Sequence, residues 1–385
     1  MSKQIDDVLA SAVENGAVPN VAAIVADADG VRYQGSAGTL GPDDDSPADC
    51  DTVYRIMSMT KMITTTAALQ QVEQGSLSLD APVAEYLPDF ANRQVLTGFE
   101  NDIPQYRAPR TQATVRQLVT HTAGHAYMFF NQALHKWEQV TGYPGILCGT
   151  EEMLDAPLMF DPGERYEYGI NTDVLGAVTA AAAGRRLDEL VAEGVLQPLG
   201  MSDTTYAVTD SQRPRLTPVQ VVGQDGSWAD SGVDYASDPQ LIPGGHGLYS
   251  TPNDYIKFQR ALLRGGELNG ARILQQETVD AAFTNQIGEL DFPEAIPSAD
   301  RGFTEDFVAG PGWKWGYGLL LNTADLPGMR KAGTGAWAGL CNTHFWIDRT
   351  SGITAAIYSQ TLPFVSTGAF ALYQEFEQAV YASLA

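Results

Sequence analysis

Ser58 and Lys61 stand three residues apart in the run RIMSMTKMITTTAALQQ, Arg55 to Gln70, and Lys61 is the only side chain ionised at neutral pH between Arg55 and Glu73. On a helix, residues i and i+3 share a face, so hydroxyl and amine come within contact. Burial penalises an ammonium and lowers its pKa by up to roughly 3–5 units. A neutral amine beside a hydroxyl can take its proton and free the oxygen to attack a carbonyl carbon. If Ser58 opens the helix, its own N–H is one of the unpaired amides of the first turn, and the positive end of the helix dipole favours a developing oxyanion. The same spacing also fits a helix whose lysine reaches solvent or pairs with a carboxylate. Of the six lysines, only Lys61 has a serine three positions before it.

The surrounding elements follow from apolar spacing. MSKQIDDVLASAVENG reads as an amphipathic helix, and residues 21–30 and 31–38 as a hairpin joined at Asp29-Gly30. Residues 76–90 break into Pro and Asp signals of a wrapping loop. Helical spacing recurs at 114–124, 173–200 and 251–266, each ending at Gly, and more weakly at 276–286. Residues 287–312 are poorly patterned and suggest a lid loop. Strand patterns return at 315–323, 341–349 and 352–361, before a closing helix. The fold class is therefore α/β (α+β), with one antiparallel sheet built from both ends of the chain, flanked by helices, and a helical lobe inserted. The expected division gives residues 1–75 and 305–385, with part of 200–250, to the sheet lobe. Residues 76–200 and 250–304 go to the helical lobe, with the site between the two.

A chain of 385 residues, 44% hydrophobic, can bury a large core. Its formal net charge of −24 argues against nucleic acid or anionic membranes, which need clusters of Lys and Arg. The acidic run GPDDDS (41–46) lacks the spaced ligands of a calcium loop. Cys50, Cys148 and Cys341 are few and scattered, as in a reduced compartment. With no apolar h-region at the N-terminus, the expectation is a cytoplasmic protein acting on a small molecule, without metal or cofactor. His121 and His125 in HTAGH lack the H-E-x-x-H pattern, no G-x-S-x-G occurs, and GTGAWA (333–338) precedes a strand where a dinucleotide loop needs a helix.

YRIMSMTKMITTTAALQQVEQGSLSLDAPVAEYLPDF, VRQLVTHTAGH, DPGERYEYGINTDVLG, PLGMSDT, GGHGLYSTPNDYIKF and FWIDRTSGITAAIYSQT occur in the order of the recurrent segments of the serine β-lactamase and penicillin-binding superfamily. The chain most resembles its class C-like esterases, the family VIII carboxylesterases, from about residue 20 onward. That resemblance implies a Ser58-Lys61-Tyr168 centre, Tyr168 being the tyrosine six residues beyond Pro162-Gly163, with either Lys61 or Tyr168 as the base. It places Tyr166 where the family has a pocket tryptophan. It aligns the third motif with Trp337-Ala338-Gly339, Gly333-Thr334-Gly335 being the second choice, and makes the Leu340 N–H the partner of Ser58 N–H in an oxyanion hole.

Two departures bear on substrate. Trp337 stands where β-lactamases carry a cation for a substrate carboxylate, and the family's Tyr-x-Asn is Tyr168-Gly169-Ile170, with Asn171 one residue late. Both favour ester over β-lactam or peptide. Tyr127, Phe129, Phe130 and Tyr249 suit an acyl or aryl group at the mouth, or else belong to the core. The expected function is a carboxylesterase with Tyr127, Tyr166, Ile170, Trp337, Ala338 and Gly339 contacting substrate. The alternatives are an acyltransferase using the same acyl-enzyme, a β-lactamase or D,D-peptidase, and a non-catalytic binding relative.

Overall fold

Eight strands pair antiparallel, and the two ends of the chain meet in the middle of the sheet. The computed structural model describes residues 2–384. The strands are β1 (Asn20–Asp27), β2 (Val31–Gly41), β3 (Asp44–Pro47), β4 (Trp313–Trp315), β5 (Leu320–Asn322), β6 (Gly335–Gly339), β7 (Thr343–Asp348) and β8 (Ile353–Tyr358). Their spatial order is β4-β5-β6-β7-β8-β1-β2-β3, so residues 22–27 pair with residues 353–358. The main helices are α1 (Ser2–Glu14), α2 (Thr60–Glu73), α3 (Asn171–Ala183), α4 (Pro252–Leu263) and α5 (Thr367–Ala382).

The run NVAAIVAD is apolar at nearly every position because both faces of β1 are covered. Val21, Ala23 and Val25 join the core that contains α1 and α5, while Ala22, Ile24 and Ala26 join the larger core that contains α2, α3 and α4. Each large apolar side chain buried in this way contributes about 1.5–3 kcal/mol. The expected boundary at residue 250 groups α4 with the helical lobe. Instead α4 packs on β1, β7 and β8, because Tyr255, Phe258, Ala261 and Leu262 lie on its sheet-facing side. The helical pattern at 173–200 divides where Gly184 takes φ +62° and closes α3. Within 287–312, Ala295–Ile296 pairs with Phe307–Val308 in a short ladder. Among the described residues no helix is long and apolar enough to cross a membrane.

The chain enters α2 through a 3₁₀ turn, Met57–Met59, which holds Ser58. Nearly every residue of α2 up to Leu69 is buried, so its polar side chains need internal partners. Thr66 Oγ1 donates to the Met62 carbonyl at 2.9 Å and Thr64 Oγ1 to the Gly244 carbonyl at 2.7 Å. Lys61 is the one cation in this buried helix.

Candidate active site

Met57, just before Ser58, has φ +44°, a left-handed conformation that costs a non-glycine residue about 1–3 kcal/mol. Contacts from distant segments hold it. Its N–H donates to Tyr235 Oη at 3.0 Å, and the Tyr235 loop is fixed by Arg55, which forms two 2.8 Å bonds to the Asp234 carboxylate. Gly339, at the end of β6, passes so close to this turn that a Cβ there would lie 2.4 Å from the Ile56 carbonyl oxygen. Only glycine lets the end of β6, and Leu340 after it, approach Ser58.

Lys61 is 1% exposed. Its Nζ lies 3.1 Å from Ser58 Oγ, 2.9 Å from Tyr127 Oη and 2.7 Å from the Gly245 carbonyl oxygen. Burial lowers its pKa to about 7, against the opposing charge of Asp173. The three contacts fit a neutral amine, which has two hydrogens and one lone pair. Gly245 O can only accept. The Tyr127 hydroxyl donates to Asp173 Oδ2 at 3.3 Å, so its oxygen is free to accept. In the neutral form both amine hydrogens are thereby used and the lone pair is left for the Ser58 hydroxyl, whereas the ammonium form donates its third hydrogen to Oγ.

Asp173 is fully buried near the start of α3. Burial alone would raise its pKa. His246, the charge of Lys61 and the Gly245 N–H, which donates at 2.8 Å, outweigh that and hold it below the ordinary carboxylate range. His246 Nδ1 stands 3.3 Å from Asp173 Oδ1, in poor alignment for a hydrogen bond. Because the Asp173 charge raises the pKa of Lys61, Asp173→Asn should move the acidic limb of the pH–rate profile to lower pH. A profile for kcat/KM measured from pH 5 to 9 checks this, and a limb that stays in place contradicts the coupling.

Tyr168 is buried beside the lysine, whose Nζ lies 4.8 Å from the centre of its ring. The Tyr168 hydroxyl accepts the Trp337 Nε1–H at 3.3 Å. Burial pushes its pKa well above the ordinary phenol value, against the opposing influence of Ser58 and Trp337, so it stays protonated at neutral pH. Ser58, Tyr168, Trp337, Ala338, Gly339 and Leu340 all line one cavity of about 520 Å³, together with Tyr127, Phe129 and Phe130.

Two residues expected at the wall lie elsewhere. Tyr166 is buried against Trp315 and Phe292 and does not line the cavity: residues 164–169 form no regular strand, so its spacing from Tyr168 does not put it on the same wall. Ile170 is 1% exposed at the N-cap of α3 and packs in the core behind Tyr168. Tyr249 is also away from the mouth, donating to Asp234 at 2.7 Å. Tyr127 reaches the cavity but also binds the lysine, a contact not expected from its position. Asn171 Nδ2 points to His121 Nδ1, 3.0 Å away. His121 and His125 are kept neutral by burial, His125 down to about 3, and no cluster that could hold a metal occurs among the described residues. The Thr334 hydroxyl of the second-choice motif is tied to the Lys331 carbonyl and does not reach the cavity.

The sequence does not pair Lys61 with Asp173 or Gly245, nor Asp173 with His246. One signal was available: Asp173 is the only charged residue in the run from Asn171 to Ala183, the acidic counterpart of Lys61 in its own uncharged helix.

An antiparallel sheet backed by helices, with a serine at the head of a buried helix, defines a protein of the β-lactamase and transpeptidase type. The chain belongs to the beta-lactamase family, whose model, described as Beta-lactamase, matches residues 5–379. It is 32% identical over 369 residues to a lovastatin esterase of Penicillium rubens, covering 91% of this chain and 90% of that protein. It is 30% identical over 359 residues to monacolin J acid methylbutanoyltransferase of Aspergillus terreus, covering 87% of this chain and 83% of the relative. Among solved structures it is similar to a mutant of simvastatin synthase (LovD) from Aspergillus terreus, with a TM-score of 0.85, 27% identity and coverage of 98% and 94%.

Proposed function

We propose that this chain is a serine carboxylesterase of the family VIII type, which forms an acyl-enzyme on Ser58 and releases it to water. The observation that carries the reading is the buried Lys61 amine, 3.1 Å from Ser58 Oγ with a pKa near 7. The neutral amine takes the hydroxyl proton as Oγ attacks the ester carbonyl, and the N–H groups of Ser58 and Leu340 receive the oxyanion. Tyr168, kept protonated by burial, gives its proton to the departing alcohol oxygen, and the proton gained by Lys61 restores the phenol. Lys61 is thus the base and Tyr168 the acid. Water then attacks the acyl-enzyme by the same steps reversed.

This division of roles has a kinetic signature. Tyr168→Phe should lower kcat for ethyl butyrate by about 10²–10⁴-fold, the usual worth of a positioned acid. It should lower acylation by p-nitrophenyl butyrate far less, because p-nitrophenolate leaves without a proton. Equal losses on the two esters would assign Tyr168 another role.

Neutral esters suit the cavity. Trp337 supplies an apolar face, and Arg330, the guanidinium on the wall, is bonded to Glu377 and Tyr373. Nitrocefin turnover should therefore fall well below that of simple esters, and comparable kcat/KM values would favour a β-lactamase. The second reading, acyl transfer to an alcohol, is supported by a cavity with mostly aromatic and aliphatic walls, in which a bulky acceptor competes with water. Product partition between acid and new ester on adding 1-butanol distinguishes the two.

A further inference from the structure

The cavity does not stay on the Ser58 side of the sheet. Along β6 the side chains alternate, so Trp337 faces Tyr168 while Ala336 and Ala338 face α5. His344, directly opposite Ala338 on β7, shares that rear face and stacks on Tyr373 of α5 with ring centroids 4.2 Å apart. Yet Trp337, Ala336, Ala338, His344 and Tyr373 all line the same cavity as Ser58. The cavity can turn the edge because β5 pairs with β6 only at Gly335 and Ala336, leaving the edge from Trp337 to Gly339 without a neighbouring strand. Two alanines and a flat-lying imidazole leave the space behind it open, and Phe307 of the 287–312 segment closes over it against Phe364 and Phe370.

The chemistry of this rear chamber is specific. Its walls are Phe364, Phe370, Met329 and Leu326, with Tyr373 at the side. Its charges cancel, since Arg330 and Glu377, each 2–3% exposed, bond to each other. The His344 ring is neutral, its pKa lowered by burial to about 3. An uncharged, apolar group fits, and a carboxylate or ammonium does not.

Position along β6 identifies which part of the substrate enters. Resting on the reading that Leu340 N–H holds the oxyanion and Tyr168 protonates the leaving oxygen, the leaving oxygen lies toward Trp337, upstream of Leu340. Ala338 and Ala336 continue in that direction. We propose that the rear chamber binds the alcohol portion of the ester, and that the enzyme selects esters by the length of an apolar alcohol chain rather than by the length of the acyl group. From Leu340 to Ala336 is about 13 Å of strand, room for an alkyl chain of roughly ten carbons.

Two substrate series test this: butyrate esters of straight-chain alcohols from ethanol to 1-tetradecanol, and ethyl esters of straight-chain acids of the same lengths. We expect kcat/KM to rise at least about tenfold up to decyl butyrate and to stay flat or fall along the acid series. Met329→Trp, which fills the chamber far from Ser58, should abolish the rise and leave ethyl butyrate within about twofold. A rise on the acid side, or a rise that survives Met329→Trp, overturns the proposal. Free 1-decanol gives a readout that needs no turnover: it should raise the melting temperature of the unaltered protein and of Ser58→Ala, but not of Met329→Trp. If 1-decanol protects while no ester is hydrolysed and Ser58 is not acylated, the esterase reading fails and the chamber stands. If esters are hydrolysed without 1-decanol protection or alcohol-length selection, the chamber fails and the esterase reading stands.

Discussion

Ser58→Ala should lower kcat on p-nitrophenyl butyrate by about 10⁵–10⁶-fold, the scale seen when a serine nucleophile is removed from a hydrolase. The residual rate would reflect only binding and the amide donors, which do not depend on the hydroxyl. The substitution removes one partly exposed hydroxyl and its 3.1 Å contact with Lys61, so the change in stability should be about 1 kcal/mol or less. Intact-mass spectrometry after an activated ester or fluorophosphonate should show one adduct on the unaltered protein, mapped to Ser58, and none on the variant. Undiminished turnover, or an adduct on another serine, would remove the basis for every role assigned around it.

Lys61→Met should produce the less expected pair of results: activity falls by about 10²–10⁴-fold, the usual worth of a general base, while stability at pH 7 rises. The sign follows from linkage. The Lys61 pKa is 10.5 when unfolded and about 7 when folded. Between those values the unfolded chain binds more protons than the folded one, so stability rises with pH across that window, and the lysine weighs against folding at pH 7 and below. The gap of about 3.5 pH units corresponds to a ceiling of about 5 kcal/mol. The lost bonds to Gly245 and Tyr127 offset about 1 kcal/mol each. Urea unfolding at pH 7 should therefore favour the Lys61→Met variant by a few kcal/mol, and the advantage should shrink toward pH 10. A variant less stable at pH 7 would mean that the amine is a charged partner of Asp173.

How far the sequence carries is visible in these same residues. A lone lysine three residues after a serine, in an uncharged helix, marks its own burial. The apolar runs at 20–27 and 353–358 mark strands covered on both faces, and the antiparallel sheet follows. Tyr166 and Ile170 were misplaced for a different reason: spacing from a motif fixes neither which way a side chain turns after Pro162-Gly163 nor where the cap of α3 falls. Asp173 was visible as a lone charge but could not be paired with Lys61, because they meet only after residues 243–246 fold between their helices. The rear chamber needed coordinates, since it depends on β5 stopping two residues into β6.

The pairing of β1 with β8 also fixes when the site can exist. Ser58 leaves the ribosome early, but the strand that completes its surroundings, residues 335–339, comes nearly 280 residues later. At about 5–20 residues per second this is an interval on the order of tens of seconds to a minute, during which β1 has no partner on its β8 edge. The nascent chain therefore carries an apolar, half-paired strand through most of its translation, and the surroundings of Ser58 are complete only once synthesis has passed the last strand. Chaperone demand during elongation, and silence of any C-terminal truncation that ends before residue 353, are built into the topology.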